Sequence, residues 1–179
     1  MKKLLSTLFL AFAVAAAFAS DKIFFHGGKV VDGDVVRVEE FIVVYKYTGE
    51  NAEQTVGKKA VDKIQYSSGR TEQISEKIVI NSKEDWEKVE ILLDKSEIVG
   101  LKKIGEVKGK NFAAYSGARA DKKANKKLLE AAAEMGAPFV YMTADKQTTS
   151  GGGYGWGGWG GGSNQSLKKG IAYTYDDQK

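Results

Sequence analysis

The chain has 179 residues, with no cysteine, one histidine, one proline and a formal net charge of +4. The lack of cysteine excludes disulfide scaffolds and zinc–cysteine sites, so the fold must be stabilised by packing alone. The 27 basic residues are nearly balanced by 23 acidic ones, and this balance argues against nucleic acid as a partner.

Residues 1–19 have the pattern of a secretory signal peptide. Lys2 and Lys3 give a positive start, residues 4–18 form an apolar run, and Ala17 and Ala19 mark a small-x-small cleavage site. The apolar run is shorter than the roughly 20 residues that a membrane-spanning helix needs. The sequence therefore predicts cleavage after Ala19 and export to the periplasm or beyond, as a soluble protein without a transmembrane span.

Residues 20–80 are predicted to form a small all-β domain. Short runs of β-branched and aromatic residues alternate with turn residues, as at His26-Gly27-Gly28 and Ser67-Ser68-Gly69. Asp32-Gly33 indicates a bend within the second strand. Five or six short strands in this length predict a barrel-like domain, because closure hides the strand edges of so small a sheet.

Two stretches of this domain carry a resemblance to known folds. They are Gly28-Lys29-Val30-Val31 and residues 59–69, which read KAVDKIQYSSG. Together they resemble the SH3-like or Sm-like small barrels of exported bacterial proteins. The resemblance implies a fold but brings no catalytic residues with it.

Residues 81–88 are interpreted as a linker between two domains. Asn81 and Ser82 suit the N-cap of a single helical turn that follows at residues 83–87. Trp86 within this turn is predicted to be packed at the junction rather than to contact a ligand, since tryptophans usually bury most of their surface.

Residues 89–175 are predicted to form a ββαββ domain of the α+β class. Strands are expected at residues 89–93, 101–107, 139–142 and 170–175, with one helix on a mainly antiparallel sheet. The helix, residues 117–135, is indicated by an apolar stripe of helical period: Ala120, Ala124, Leu128, Ala131, Ala132 and Met135. Gly136 is expected at its C-cap, and Pro138 prevents its continuation.

Two further stretches, residues 99–107 (VGLKKIGEV) and 131–137 (AAAEMGA), resemble the YbjQ-like and RcsF-like envelope modules. This resemblance covers residues 89–175 and implies a ββαββ fold. Some of these modules act in envelope stress sensing or as assembly components, and many are uncharacterised. The chain lacks the cysteines of the RcsF-type pattern and has no thiol for a lipid anchor.

The clearest candidate for ligand contact is a glycine- and tryptophan-rich loop predicted over residues 147–167. Its centre, residues 151–162, reads GGGYGWGGWGGG and carries Tyr154, Trp156 and Trp159. These rings can stack on sugar faces or apolar side chains, so they are the predicted ligand-binding residues. The alternative is that the loop is disordered or packs back on its own domain.

No catalytic, metal or cofactor site is predicted. His26 is the single histidine, and a triad or zinc site would need partners that the chain lacks. The Gly153, Gly155 and Gly158 spacing opens no helix, so it does not match a phosphate-binding loop. A hydrolase built on carboxylates that lie apart in the sequence stays open.

The sequence therefore predicts a non-catalytic exported binding or adaptor protein of the bacterial envelope. Its partner would be an unknown envelope protein or a glycan. One alternative is a protein that contacts glycan or cell wall through residues 151–162; the other is the carboxylate hydrolase. Exposed strand edges make a homo-oligomer possible.

Overall fold

The computed structural model describes residues 20–113, 116–150 and 163–177, and it confirms the α+β class. The chain divides into an N-terminal unit, residues 1–76 with 177–179, and a C-terminal unit, residues 77–176. The predicted signal peptide, residues 1–19, lies outside the described residues. Within the described residues, no helix combines the length and the apolar character needed to cross a membrane.

The N-terminal unit is one antiparallel sheet. Its strands are β1 (Asp21–Phe25), β2 (Val30–Val38), β3 (Ile42–Tyr47), β4 (Glu53–Gly57), β5 (Val61–Gln65) and β6 (Thr71–Gln73). A 3₁₀ helix, Lys58–Ala60, joins β4 to β5. The strand order is β4-β3-β2-β1-β5-β6, and one face buries the side chains of Ile23, Val43, Val61 and Ile64.

This sheet is open, so the predicted closure into a small barrel is wrong. β4 and β6 are its two edges, and no pairing joins them within residues 20–76. Both edges are short, with five residues in β4 and three in β6. Short edge strands limit pairing with other chains, so the sheet does not need closure to protect its edges. A bulge between Val35 and Arg37 interrupts the pairing of β2 with β3.

The C-terminal unit has the predicted ββαββ order. Its strands are β7 (Glu90–Leu92), β8 (Leu101–Ala113), β9 (Phe139–Ser150) and β10 (Ser163–Tyr175), and its helix is α1 (Gly117–Glu134). The sheet order is β7-β9-β10-β8. β7 runs parallel to β9, and the other pairs are antiparallel. Helix α1 packs mainly on β8 and β10.

Local chemistry sets both ends of α1. Ser116 is the N-cap, and its hydroxyl accepts a hydrogen bond from the amide of Arg119 at 3.3 Å. At the other end Gly136 has a positive φ of 70°, which places it in the left-handed region as predicted. Pro138 follows, so the chain leaves the helix and enters β9.

The buried stripe of α1 differs in part from the predicted one. Ala120, Ala124, Leu128 and Ala132 are buried as expected. Met135 is 39% exposed, whereas Leu129 and Ala133 are buried in its place. The core beneath α1 also contains Val89, Ala137 and Val140. These residues extend the apolar surface that α1 packs on, so that Leu129 and Ala133 are buried against it.

Helix α1 approaches the sheet very closely at Gly109 of β8. A Cβ atom added at Gly109 would collide with the carbonyl oxygen of Ala124 and lie 2.8 Å from the amide nitrogen of Leu128. Only glycine fits this position without moving the helix. The alanines of α1 and the glycine of β8 therefore act together to bring the two backbones into contact.

Residues 77–88 belong to the C-terminal unit because they pack on both faces of its sheet. On one face Ile78 contacts the cluster of Leu92, Phe139, Tyr173 and Tyr175, and its amide donates to the hydroxyl of Tyr175 at 2.8 Å. On the other face Ile80 and Trp86 pack against the core beneath α1. The stretch interpreted as a linker is thus a 3₁₀ helix, Lys83–Lys88, that packs within this unit.

Candidate functional site

β9 and β10 form a long hairpin that extends well beyond the predicted strands. They are paired from Tyr173↔Phe139 to Ser163↔Ser150, with one register shift between Lys169 and Gly170. Residues 147–150 and 163–167, predicted as part of a loop, lie in these paired strands. The threonines of the β9 sequence favour a strand through their β-branched side chains.

The predicted ligand-binding residues Tyr154, Trp156 and Trp159 lie outside the described residues. The two points where their segment joins the fold are described. Ser150 and Ser163 are directly paired, so residues 151–162 leave and re-enter the sheet on neighbouring strands. Neighbouring strands lie about 4.8 Å apart, and both ends of the segment are therefore held close together.

A partly buried polar cluster lies along the hairpin where it passes under α1. The ammonium of Lys168 is 2.6 Å from Oδ2 of Asp145 and 2.9 Å from Oδ1 of Asp121. The hydroxyl of Ser166, which is fully buried, donates to Oδ1 of Asp121 at 3.0 Å. Only 6% of the Lys168 side chain is exposed, against 29% for Asp121 and 49% for Asp145. These four residues are the Lys168 cluster.

The alternation of side chains along β10 explains why Ser166 and Lys168 are buried. Alternate residues of a strand face the same side, so Ser166 and Lys168 point toward α1 with Gly170 and Ala172. Gly170 and Ala172 belong to the apolar end of this face, whereas Ser166 and Lys168 lie at the end reached by Asp121. Asp145 is directly opposite Lys168 in the register of β9 and β10. A cross-strand pair and a helix carboxylate thus meet at one point.

The electrostatics favour the ionised forms of Asp121 and Lys168. Burial alone raises the pKa of Asp121, but hydrogen bonds from Lys168, Gln147 and Ser166 outweigh it, and the pKa lies below its ordinary value. Burial lowers the pKa of Lys168, but Asp145 and Asp121 more than compensate, and that pKa lies above its ordinary value. The cluster is therefore an ion-pair network that ties α1 to β9 and β10.

Asp121 does not suit the role of a general acid. A carboxylate pair that cleaves glycosides needs one carboxyl group with a raised pKa as the general acid, whereas the pKa of Asp121 is lowered. Ser166 donates to Asp121, whose lowered pKa makes it a weak base, and the Ser166 hydroxyl is closed off from solvent, so it lacks the access of a nucleophile. In the part of the chain that the structure describes, no group of three or more acidic or histidine side chains is placed to hold a metal ion.

Little in the sequence indicates this cluster. Lys168 stands beside Lys169, and the two together have the pattern of a solvated strand surface. The signal that points to burial is the alternation of Ser166, Lys168, Gly170 and Ala172, which continues the inward face of β10 past its apolar residues. When the inward-facing positions of a strand change from apolar to polar residues and acids lie on neighbouring elements, the pattern indicates a buried polar site.

His26, in the N-terminal unit, has a structural contact with Ser75. Its Nε2 lies 2.8 Å from the Ser75 hydroxyl, which itself donates to the carbonyl of Val61 at 2.7 Å. A hydroxyl has one proton, so the bond between His26 and Ser75 uses a proton on Nε2. In this arrangement His26 donates to Ser75 and does not act as its base.

Comparison with known protein families, with curated proteins and with solved structures finds no match. Function is therefore inferred from the sequence and from the geometry of the hairpin.

Proposed function

We propose that this is a non-catalytic binding or adaptor protein of the bacterial cell envelope that contacts its partner through residues 151–162. The observation that carries the proposal is the continuous pairing of β9 with β10 up to Ser150 and Ser163. It anchors both ends of an aromatic segment to a packed sheet.

The Lys168 cluster supports this role because it fixes the hairpin under α1. The ion pairs of Lys168 with Asp121 and Asp145 join the helix to both strands of the hairpin. A binding segment on a rigid base loses less conformational entropy when it meets a partner. Tyrosine and tryptophan supply large apolar surfaces with few rotatable bonds, which is why they dominate many interfaces.

The N-terminal sequence supports the cellular location. Residues 1–19 combine a positive start, an apolar run and a small-x-small site, a combination that directs export. The expectation from sequence that residues 89–175 form a YbjQ-like or RcsF-like module is the reason to propose the envelope rather than the external medium. We place the mature protein, from Ser20 onward, in that compartment.

A double variant, Trp156→Ala with Trp159→Ala, tests the proposed contact. We expect photo-crosslinking in the living envelope, from a probe at Tyr154, to capture a defined partner, and the double variant to lower that capture at least about tenfold. Phe112→Ala is the matched control, because it removes another aromatic ring, 58% exposed, from β8 of the same unit. Equal capture by the double variant and by the control would refute the proposal.

The second candidate partner is a glycan of the cell wall. It is favoured by the alternation of Tyr154, Trp156 and Trp159 with glycine, since flat rings stack on the apolar faces of sugars. Co-sedimentation with purified cell wall separates this candidate from a protein partner. Retention that depends on both tryptophans supports the glycan, and unchanged retention in the double variant rules it out.

A further inference from the structure

A cavity of about 480 Å³ lies beside α1. Among the described residues it is lined by Trp86 and by side chains of α1, namely Arg119, Lys122, Lys123, Asn125 and Lys126. Sites for small ligands typically have volumes of roughly 300–1,000 Å³, so this cavity is large enough for one. We call it the basic cavity.

The charge of the basic cavity has one sign. Arg119, Lys122, Lys123 and Lys126 lie three or four residues apart, so they share one face of α1. Like charges at this spacing destabilise a helix. Glu130, 3.8 Å from the ammonium of Lys126, offsets this repulsion at one end, and an anion bound at Arg119, Lys122 and Lys123 would offset it at the other. Asp121, the acid on this half of the helix, is paired with Lys168 of β10 and does not line the cavity.

The walls below these cations are largely apolar. The ring of Trp86 contributes one wall, and the ammonium of Lys126 lies 4.8 Å from its centroid. Trp86 is held by packing against the core beneath α1. The aliphatic stems of the lysines add further apolar surface while their charged ends stay in solvent. The basic cavity therefore offers an apolar floor with a cationic rim.

These two properties define the ligand class. A free phosphate ion would use the rim alone, whereas a phosphate attached to an apolar body would use the rim and the floor together. We propose that the basic cavity binds an anionic phospholipid, with the phosphate at Arg119, Lys122 and Lys123 and the apolar part against Trp86. This site goes beyond the contact proposed for residues 151–162 and does not depend on it.

The test uses the tryptophans of the full chain. Of three tryptophans, Trp156 and Trp159 are replaced by phenylalanine, so the fluorescence of the remaining Trp86 reports on the cavity. The probe is short-chain phosphatidylglycerol below its micelle concentration, compared with phosphatidylcholine of the same chain length and with inorganic phosphate. We expect a saturable change in Trp86 emission with phosphatidylglycerol, and at least about tenfold weaker binding of the other two probes.

Each comparison probe has a defined meaning. Equal affinity for phosphatidylcholine would show that the cations do not select the ligand, and this would overturn the proposal. Equal affinity for inorganic phosphate would show that the apolar floor contributes nothing, and it would overturn the assignment to a lipid.

Charge reversal then locates the site. In the same background, Lys122→Glu with Lys123→Glu is expected to weaken phosphatidylglycerol binding at least about tenfold, because each lysine near an anionic lipid contributes strongly. Lys102→Glu with Lys103→Glu makes the same change of charge at exposed positions of β8. Equal affinity of the two double variants for phosphatidylglycerol would show that the lipid does not bind at α1. Thermal unfolding of both variants checks that the fold is intact.

Discussion

The ammonium group of Lys168 lies 2.9 Å from the carboxylate of Asp121. This contact joins β10, the last strand of the C-terminal unit, to helix α1. Asp145 holds the same ammonium from the neighbouring strand at 2.6 Å. One buried cation therefore connects β9, β10 and α1. A buried charge is costly when its partners are removed, so Lys168 is a sensitive point of the fold.

Replacing Lys168 with methionine should destabilise the C-terminal unit. The variant leaves Asp121 and Asp145 without their cation, and we expect the free energy of unfolding to fall by roughly 1–3 kcal/mol, since both acids keep some contact with solvent. Urea denaturation followed by circular dichroism measures the change. Lys169→Met is the control, because Lys169 is exposed on the same strand and should change stability by less than about 0.5 kcal/mol. Similar losses in both variants would contradict the prediction.

The lowered pKa of Asp121 predicts a specific acid sensitivity. A group whose pKa is lower in the folded state stabilises the fold above its unfolded pKa, which is about 3.9 for aspartate. That stabilisation is lost as the pH falls through the lower, folded value. The melting temperature should therefore drop more steeply below about pH 4 in the native chain than in Asp121→Asn. Parallel pH profiles for the two proteins would disprove the assigned role of Asp121.

The close contact of α1 with β8 predicts that Gly109 tolerates no side chain. In Gly109→Ala the added Cβ meets the backbone at Ala124, and the helix must shift away from the sheet. Overpacking of this kind costs about 1–3 kcal/mol of stability. Lys108→Ala, at the adjacent exposed position, should be nearly neutral in the same denaturation experiment. A Gly109→Ala variant as stable as Lys108→Ala would show that α1 does not rest on this glycine.

Gly136 allows backbone strain to be measured apart from packing. Nothing lies within 4 Å of a Cβ added at this position, yet its φ is +70°. Gly136→Ala should therefore lose about 1–2 kcal/mol through backbone conformation alone, and Gly136→Asn should lose less, since asparagine tolerates the left-handed region better. Thermal unfolding of the pair measures the difference. Equal stability of alanine and asparagine would rule out this explanation.

Local sequence signals predicted the C-terminal unit well. The apolar spacing from Ala120 to Ala132, the glycine at position 136 and Pro138 each act within a few residues, so the helix and its end follow directly from the sequence. The fold class and the ββαββ order follow from the same kind of signal. Periodicity, capping residues and proline act over a few residues of the chain, so they do not depend on which distant strands pair with each other.

Features that depend on distant partners were not predicted. Whether β4 meets β6 depends on the curvature of the whole sheet, and the open arrangement could not be derived from strand patterns alone. The length of the β9–β10 hairpin depends on the pairing of Ser150 with Ser163, across a glycine-rich segment that itself favours a loop. The burial of Lys168 required knowledge that Asp121 and Asp145 arrive from two other elements.

The position of β7 in the sheet constrains how the C-terminal unit can fold. β7 and β8 follow each other in the sequence but occupy opposite edges, with β9 and β10 between them. β7 pairs with β9, but among the described strands β8 pairs with β10 alone, so the β8 edge has no strand to join until the last strand of the unit is present. Non-local pairing of this kind slows folding. During synthesis, β8 therefore cannot enter a sheet until β10 has been made. A ribosome-bound chain that ends before β10 should accordingly remain without a stable sheet in this unit.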